Sequence, residues 1–311
     1  MNDAYYTQTG ERADLAALEV NPPEGYIGSQ ILPTVPCLDK SGTVYYATVT
    51  ADSAAQTNRS TGAAPSGTQI SDSSTTYTAA EAIKRGSVTP DEAKQMGGIE
   101  KADMVGAKWA KRQVMNYLES DIAALIMQSG SDADATFDPA KVQTQVQTAL
   151  QTVRLYEGKT ALIASSACFK GMLQSLLNDS VHGPALARLV TGSSGVDAVR
   201  GLSLAAWKQA IAMWFAVDTV LAGDDTVWNA TAIRGRFAIA KLDDGMDPLS
   251  HKWKPVIGKV FQFLPDGTNP WLIESIGDRL TKNNHYDATL WYDAVLLNSA
   301  GVYVFGGVPT T

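Results

Sequence analysis

The sequence predicts an α+β protein, and three observations carry the prediction. Asp103 to Gln128 keeps a helical periodicity throughout, the stretch after it alternates strand-like and helix-like runs, and from Phe237 onward nearly every run is strand-like. The 311 residues allow one large or two ordinary domains with a sizeable core.

Taken in order, Glu11 to Val20 fits a short helix, stopped by Asn21-Pro22-Pro23-Glu24-Gly25 because proline cannot donate to the helical ladder. Tyr26 to Pro36 is apolar but carries Pro33 and Pro36, which suit an extended edge or surface-crossing segment better than a central strand. Val44 to Val49 is rich in strand formers. From Thr50 to Thr78 the only large apolar residues are Ile70 and Tyr77, so that stretch supplies no core. It reads either as a disordered linker or as a long two-armed hairpin ordered against neighbouring subunits, with Thr75 to Lys84 as its returning strand. In both readings it projects.

Thr89-Pro90-Asp91-Glu92 starts a helix, with a Thr N-cap, Pro at the first helical position and Glu placed to complete a capping box. Gly97 and Gly98 allow a break. In the long periodic run Met104, Trp109, Met115, Leu118, Ile122, Leu125 and Ile126 fall near one face, and Lys108, Lys111, Arg112 and Glu119 lie off it. At 1.5 Å per residue that helix is about 39 Å long, so other structure is expected to pack along it. Asp138-Pro139 opens a further helix carrying Val142, Val146, Leu150 and Val153, and Gly158 ends it. Ala161 to Ala164 is a buried strand, Ser165 caps a helix through Leu177, Ser203 caps another through Trp214, and strand-like Phe215 to Leu221 follows. Strands are then expected at Phe237 to Leu242, Pro255 to Leu264, Trp271 to Ile276, Thr289 to Leu297 and Val302 to Phe305. No internal repeat is found.

Composition narrows the function. Charged residues are only 18%, below the roughly 25% usual for a globular domain, so uncharged contacts must dominate the surface. A net charge of -7 and a pI near 5.0 disfavour a general electrostatic grip on nucleic-acid phosphates. Cys37 and Cys168 are far apart and form no C-x-x-C pair, which supports neither a disulfide framework nor a thiolate zinc site; a reducing compartment is expected. Met1-Asn2-Asp3 offers no basic n-region for a secretory signal. Leu202 to Ala222 is the nearest approach to a membrane span, but Lys208, Gln209 and Asp218 interrupt it, so it is assigned to the core.

The residues that carry chemistry are sparse. His182, His251 and His285 belong to no ligand-spaced cluster. Asp132, Asp134 and Asp138 imitate the start of a calcium loop, yet Phe137 and Gln143 stand where its glycine and bidentate Glu belong. Gly62 and Gly67 have the spacing of a phosphate loop, but Thr68 and Gln69 follow instead of Lys and Ser/Thr. No G-x-S-x-G elbow occurs, and Gly192-Ser193-Ser194-Gly195 is no substitute. Cys168 sits among the apolar residues of a helix, which points to packing. The pairs Asp224-Asp225 and Asp243-Asp244 lie in turns, where Asp is favoured for local bonding. No catalytic, cofactor or metal residue is therefore assigned, and the chain is not read as an enzyme.

The order of parts resembles one family: the major capsid proteins of tailed bacteriophages, with the Hong Kong-type shell fold. The segment Asn21 to Pro36 is similar to that family's N-arm, whose Ile/Leu-x-Pro-x-Val-Pro-like run precedes an Asp/Lys-Ser-Gly turn, here Asp39-Lys40-Ser41-Gly42. After it come an extended Ser/Gly-rich loop with an arginine, a long helix from Asp103, and Ala161-Leu162-Ile163-Ala164-Ser165 leading a helix. The resemblance covers nearly the whole chain.

It implies an N-arm at 1–43, an extended β-hairpin loop at 44–88, a peripheral domain with the long spine helix at 89–158 and 245–288, and an axial domain at 159–244 and 289–311. It implies a virion structural protein, assembled in the host cytoplasm as hexamers and pentamers of an icosahedral shell. That shell would enclose DNA without reading its sequence and involve no membrane. Scaffolding, portal and decoration proteins would be separate partners. Tyr26, Ile31, Arg59, Tyr77, Lys84 and Arg85, on the arm and the loop, are the candidate inter-subunit contacts. Some relatives crosslink a loop Lys to an Asn, but Lys84 and Asn298 match no such motif. The arm is expected to be dispensable for the subunit's own fold. Two other readings are a nanocompartment shell protein of the same fold, and a cytosolic binding module or hydrolase with a mobile lid at Thr50 to Thr78.

Overall fold

The computed structural model describes residues 6–22, 25–50, 69–129, 131–156, 158–191, 203–243, 245, 247–278 and 280–310. Arg59, the Gly62 to Gly67 run, Gly192 to Gly195 and Asp244 lie outside the described residues, as do the side chains of Asp132 and Asp134.

The chain opens with strand β1 (Gly10–Glu11), helix α1 (Ala13–Ala16), helix α2 (Gly28–Ile31) and strand β2 (Thr34–Cys37). The helix expected at Glu11 to Val20 shrinks to α1 because Gly10 and Glu11 pair instead with Ser275 and Glu274 at a sheet edge. Strands β3 (Ser41–Thr50) and β4 (Gln69–Thr78) form an antiparallel hairpin in register from Ser41↔Thr78 to Thr50↔Gln69. Ten residues at about 3.3 Å each give these arms a length of about 33 Å. The returning strand is not continuous. It breaks at Ala79, whose N–H donates to the Lys40 carbonyl, and resumes as β5 (Ala80–Val88) in another sheet.

Helix α3 (Pro90–Gln95) has both bonds of the capping box, Glu92 N–H to Thr89 Oγ1 and Thr89 N–H to Glu92 Oε2. The spine helix α4 (Ile99–Ser129) spans 31 residues, about 46 Å. Strand β6 (Ser131–Thr136), helix α5 (Val142–Val153), strand β7 (Lys159–Ser165), helices α6 (Ser166–Asn178), α7 (His182–Thr191) and α8 (Leu204–Phe215), strand β8 (Thr219–Gly223), helix α9 (Asp225–Trp228) and strand β9 (Phe237–Leu242) follow. Ser165 and Ser203 cap α6 and α8 as their positions predict. The final strands are β10 (Gly258–Phe263), β11 (Trp271–Asp278), β12 (Asn283–Leu296) and β13 (Val302–Gly306).

Two main sheets result. In the first, β12 pairs with β11, β5 and β10, with β1 and β2 on the outer edges. Thr34 to Cys37, preceded by Pro33 and containing Pro36, does take an edge position, running parallel to β10. The second has the order β6-β13-β9-β7-β8. Strand β12 stays in the first sheet to Leu296. Helix α5 packs with Phe169, Trp207 and Phe305 in the second sheet's core.

The spine helix lies across the first sheet, and its contact face differs from the expected one. Ala102, Ala107, Ala110, Val114, Ile122, Ala123, Ile126 and Met127 are buried, whereas Trp109 is 57% exposed and Met104 38%. The reason is distance. A Cβ on Gly86 of β5 would collide with the Gly106 carbonyl, and one on Gly106 with the Tyr286 ring, so only small side chains fit between the first half of the helix and the sheet. Leu118 is half-buried against the same core.

Candidate assembly surfaces

Residues 6–22 and 25–37 pack against the chain's own body, and the spine helix holds several of them through its polar side chains. Arg12 bridges Asp14 and Asp103, at 2.7 and 2.9 Å, while the Tyr286 hydroxyl donates to the other Asp103 oxygen. Lys111 Nζ donates to the carbonyls of Ala16 (2.7 Å) and Leu18 (2.8 Å), and sits 5.3 Å from the centre of the Trp271 ring. Glu119 accepts from the backbone N–H of Ile27 (2.8 Å), that of Gly28 (2.9 Å) and the Trp228 indole N–H (2.7 Å). Lys111 and Glu119 are 1% and 3% exposed, although the helical pattern places both off the apolar face. Nothing in the sequence marks them, because a helical charge bonded to a folded-back segment reads like a solvated one.

Burial sets their protonation. Loss of water pushes the Lys111 ammonium down to about 8. Burial raises the Glu119 carboxyl above the usual range, helped by Asp224 and opposed by its three donors.

The candidate contact residues do not converge. Tyr26 is half-buried beside the spine, its hydroxyl without a hydrogen-bond partner, and burial with Glu119 and Asp224 nearby pushes it up to about 12. Ile31 is fully enclosed in the chain's own core, so the contact expected of it is an internal one. Tyr77 stacks on Phe261 at 4.9 Å between ring centres, and its hydroxyl donates to the Asp39 carbonyl. On β5, Lys84 lies over the Tyr117 ring on the spine side, and Arg85, on the opposite face, holds Asp287 with two bonds of 2.6 Å. Asn298 is buried, its amide donating to the carbonyls of Ala47 and Val256, and so fastens the hairpin to the body.

The groups weighed for catalysis are likewise engaged. Cys168 is buried and its thiol is pushed up to about 12. Asp224 caps α9, Asp225 accepts the Ala167 N–H, and Asp243 binds Lys259 Nζ (2.5 Å) and the Ser250 hydroxyl (2.6 Å). Among the described residues no group of three or more His, Cys, Asp or Glu side chains is arranged to hold a metal ion. Among them, too, no helix is long and apolar enough to cross a membrane.

No family model and no curated protein matches the sequence. Solved structures do. A phage-related protein from Bordetella bronchiseptica RB50 superposes with a TM-score of 0.61 and 15% identity, covering 97% of this chain and 98% of that one. The virus-like particle from Pyrococcus furiosus gives 0.51 and 10%, over 94% and 95% of the two chains. The capsid of the cyanophage P-SCSP1u gives 0.51 and 10%, over 94% and 91%. The chain has the tailed-phage capsid fold. At these identities the likeness concerns the fold alone.

Proposed function

We propose that this chain is a major capsid protein: a structural, non-enzymatic subunit that assembles into the shell of a phage head around the genome. The observation that carries the reading is a fold shared over 94% of this chain with a cyanophage capsid and over 97% with a phage-related protein. In this reading the spine helix with the first sheet is the peripheral domain, the second sheet with α5 to α8 is the axial domain, and β3–β4 is the extended loop. Hexamers and pentamers are the expected capsomers, because heterologous contacts close into rings. Many modest contacts, multiplied around a shell, supply its total strength.

Scaffolding, portal and decoration proteins would be separate chains, and assembly would take place in the host cytoplasm. The structural likeness to a virus-like particle keeps the nanocompartment reading in view, since that shell would enclose protein. Expression of the full chain, followed by sedimentation and negative-stain microscopy, tests both. Closed particles with nuclease-protected nucleic acid support a phage head; particles filled with a co-purifying protein favour a compartment; a monomer at every concentration removes both.

A further inference from the structure

Lys259 and Asp243 form an ion pair that is closed off from water. Lys259 is the second residue of β10 and stands opposite Val295 of β12. Strand alternation therefore turns it to the same face as Phe261, into the small core of Val35, Val44, Val256, Phe261 and Leu297. Asp243 directly follows Leu242, the last residue of β9 in the second sheet. Lys259 Nζ lies 2.5 Å from Asp243 Oδ2, and the Ser250 hydroxyl donates to the same oxygen at 2.6 Å. The lysine and aspartate side chains are 0% and 3% exposed. In the pairs Arg12–Asp103 and Arg85–Asp287, by contrast, the arginines are 23% and 52% exposed.

Such burial is unfavourable for two charges. Their attraction offsets the loss of water only where further hydrogen bonds complete each group. An ammonium has three donors. Among the described residues Lys259 Nζ meets one acceptor, Asp243, whereas Lys111 Nζ has two carbonyls and a ring face. A neutral amide in place of the pair would remove both charges and leave a single N–H to satisfy. The distance suits that product too. Asp243 Cγ is one bond beyond Oδ2, which sets the nitrogen at about the 3–3.5 Å from which a positioned nucleophile attacks.

We propose that Lys259 and Asp243 are a self-modification site, at which the folded chain joins them by an isopeptide bond. The ammonium passes one proton to the carboxylate, leaving an amine lone pair beside a carboxylic acid. Nζ then bonds to Cγ, a second proton moves from the nitrogen to the hydroxyl oxygen, and the Cγ–O bond breaks with release of one water. The Ser250 hydroxyl, bonded to Oδ2, is placed to relay that second proton. An ammonium and a carboxylate become an amide and water, so charge is conserved and nothing is oxidised or reduced. Exclusion of bulk water from the site opposes hydrolysis of the product. The bond ties the end of β9 to β10 across 16 residues of sequence, and so fastens the second sheet to the first whether or not copies of the chain assemble.

The test is the intact mass of the full chain, purified as a soluble protein with a cooperative melt and weighed after denaturation. The parent should be lighter than its sequence by one water, and Lys259→Met should have its full sequence mass. Trypsin should leave the parent uncut after Lys259. Because the Lys254-Pro255 bond resists trypsin, the digest should contain residues 242–252 joined to residues 253–279. A parent at full mass, or one cut after Lys259, would overturn the proposal. So would a water lost from Lys259→Met, or a loss that maps to a succinimide at Asp244-Gly245, which leaves Lys259 cleavable.

Discussion

Lys111 and Glu119 stand about two turns apart on the spine helix, and each exchanges its hydration for backbone partners on the segment before Leu32. Around the Lys111 ammonium, carbonyl oxygens and the Trp271 face stand in for water. Its folded-state pKa, about 8, lies below the ordinary lysine value of 10.5. Between those values the unfolded chain binds more protons, so this group's contribution to stability rises with pH through that window and is flat below it. Lys111→Met should abolish that increment: the thermal midpoint of the parent should gain on the variant between pH 7 and pH 10. At Glu119 the stake is the donors. Glu119→Ala would strand three N–H groups, at a cost on the order of 3 kcal/mol or more, read by urea unfolding, while Glu119→Gln, which keeps an accepting oxygen, should lose less.

The spine helix shows how packing distance overrides hydrophobic pattern. Its second half matches the periodic reading, with Ile122 and Ile126 enclosed. Its first half inverts it, since alanines face the sheet and Met104, Val105 and Trp109 face out. Ile122→Asp should therefore unfold the subunit, because an unpaired carboxylate in that contact costs several kcal/mol against a total of about 5–15. Trp109→Ser should leave the thermal melt within about 1 kcal/mol of the parent, as surface substitutions do. A Trp109→Ser variant that melted early would place that ring inside the core. Such a face is hard to read from sequence, because a large apolar residue scores as core whether or not the neighbouring backbone leaves room for it.

For the whole molecule, the consequence is that residues 6–22 and 25–37 are part of the subunit and not an appendage. Leu15, Ile27, Ile31, Leu32 and Val35 are buried in this chain's cores. At about 1.5–3 kcal/mol each, their burial is worth on the order of 10 kcal/mol, comparable with the full stability of a domain. Deleting Met1 to Pro36 should then abolish the cooperative thermal transition seen by circular dichroism, instead of leaving folded subunits that fail to assemble. The expectation of a dispensable arm arose because prolines and an extended pattern mark a segment that crosses a surface, without saying whose surface.

The sequence alone determined the local elements whose signals are local. The Thr89–Glu92 capping box, the serine caps at Ser165 and Ser203, the Phe237 to Leu242 strand and the hairpin's strand formers all act over a few residues, and each appears where its chemistry requires. The order of those elements was enough to suggest the capsid fold. Only the tertiary structure decided which partner each polar or apolar group meets. The Glu119 bonds span 91 and 109 residues of sequence, and Lys111 reaches back 95. The grooves that the spine helix forms with β5 and β12, and with residues 19–21, likewise exist only once those segments are brought alongside it. A side chain's type fixes what it can bond, but its neighbours at such separations are set by how the sheets and the helix pack, and no local pattern encodes that.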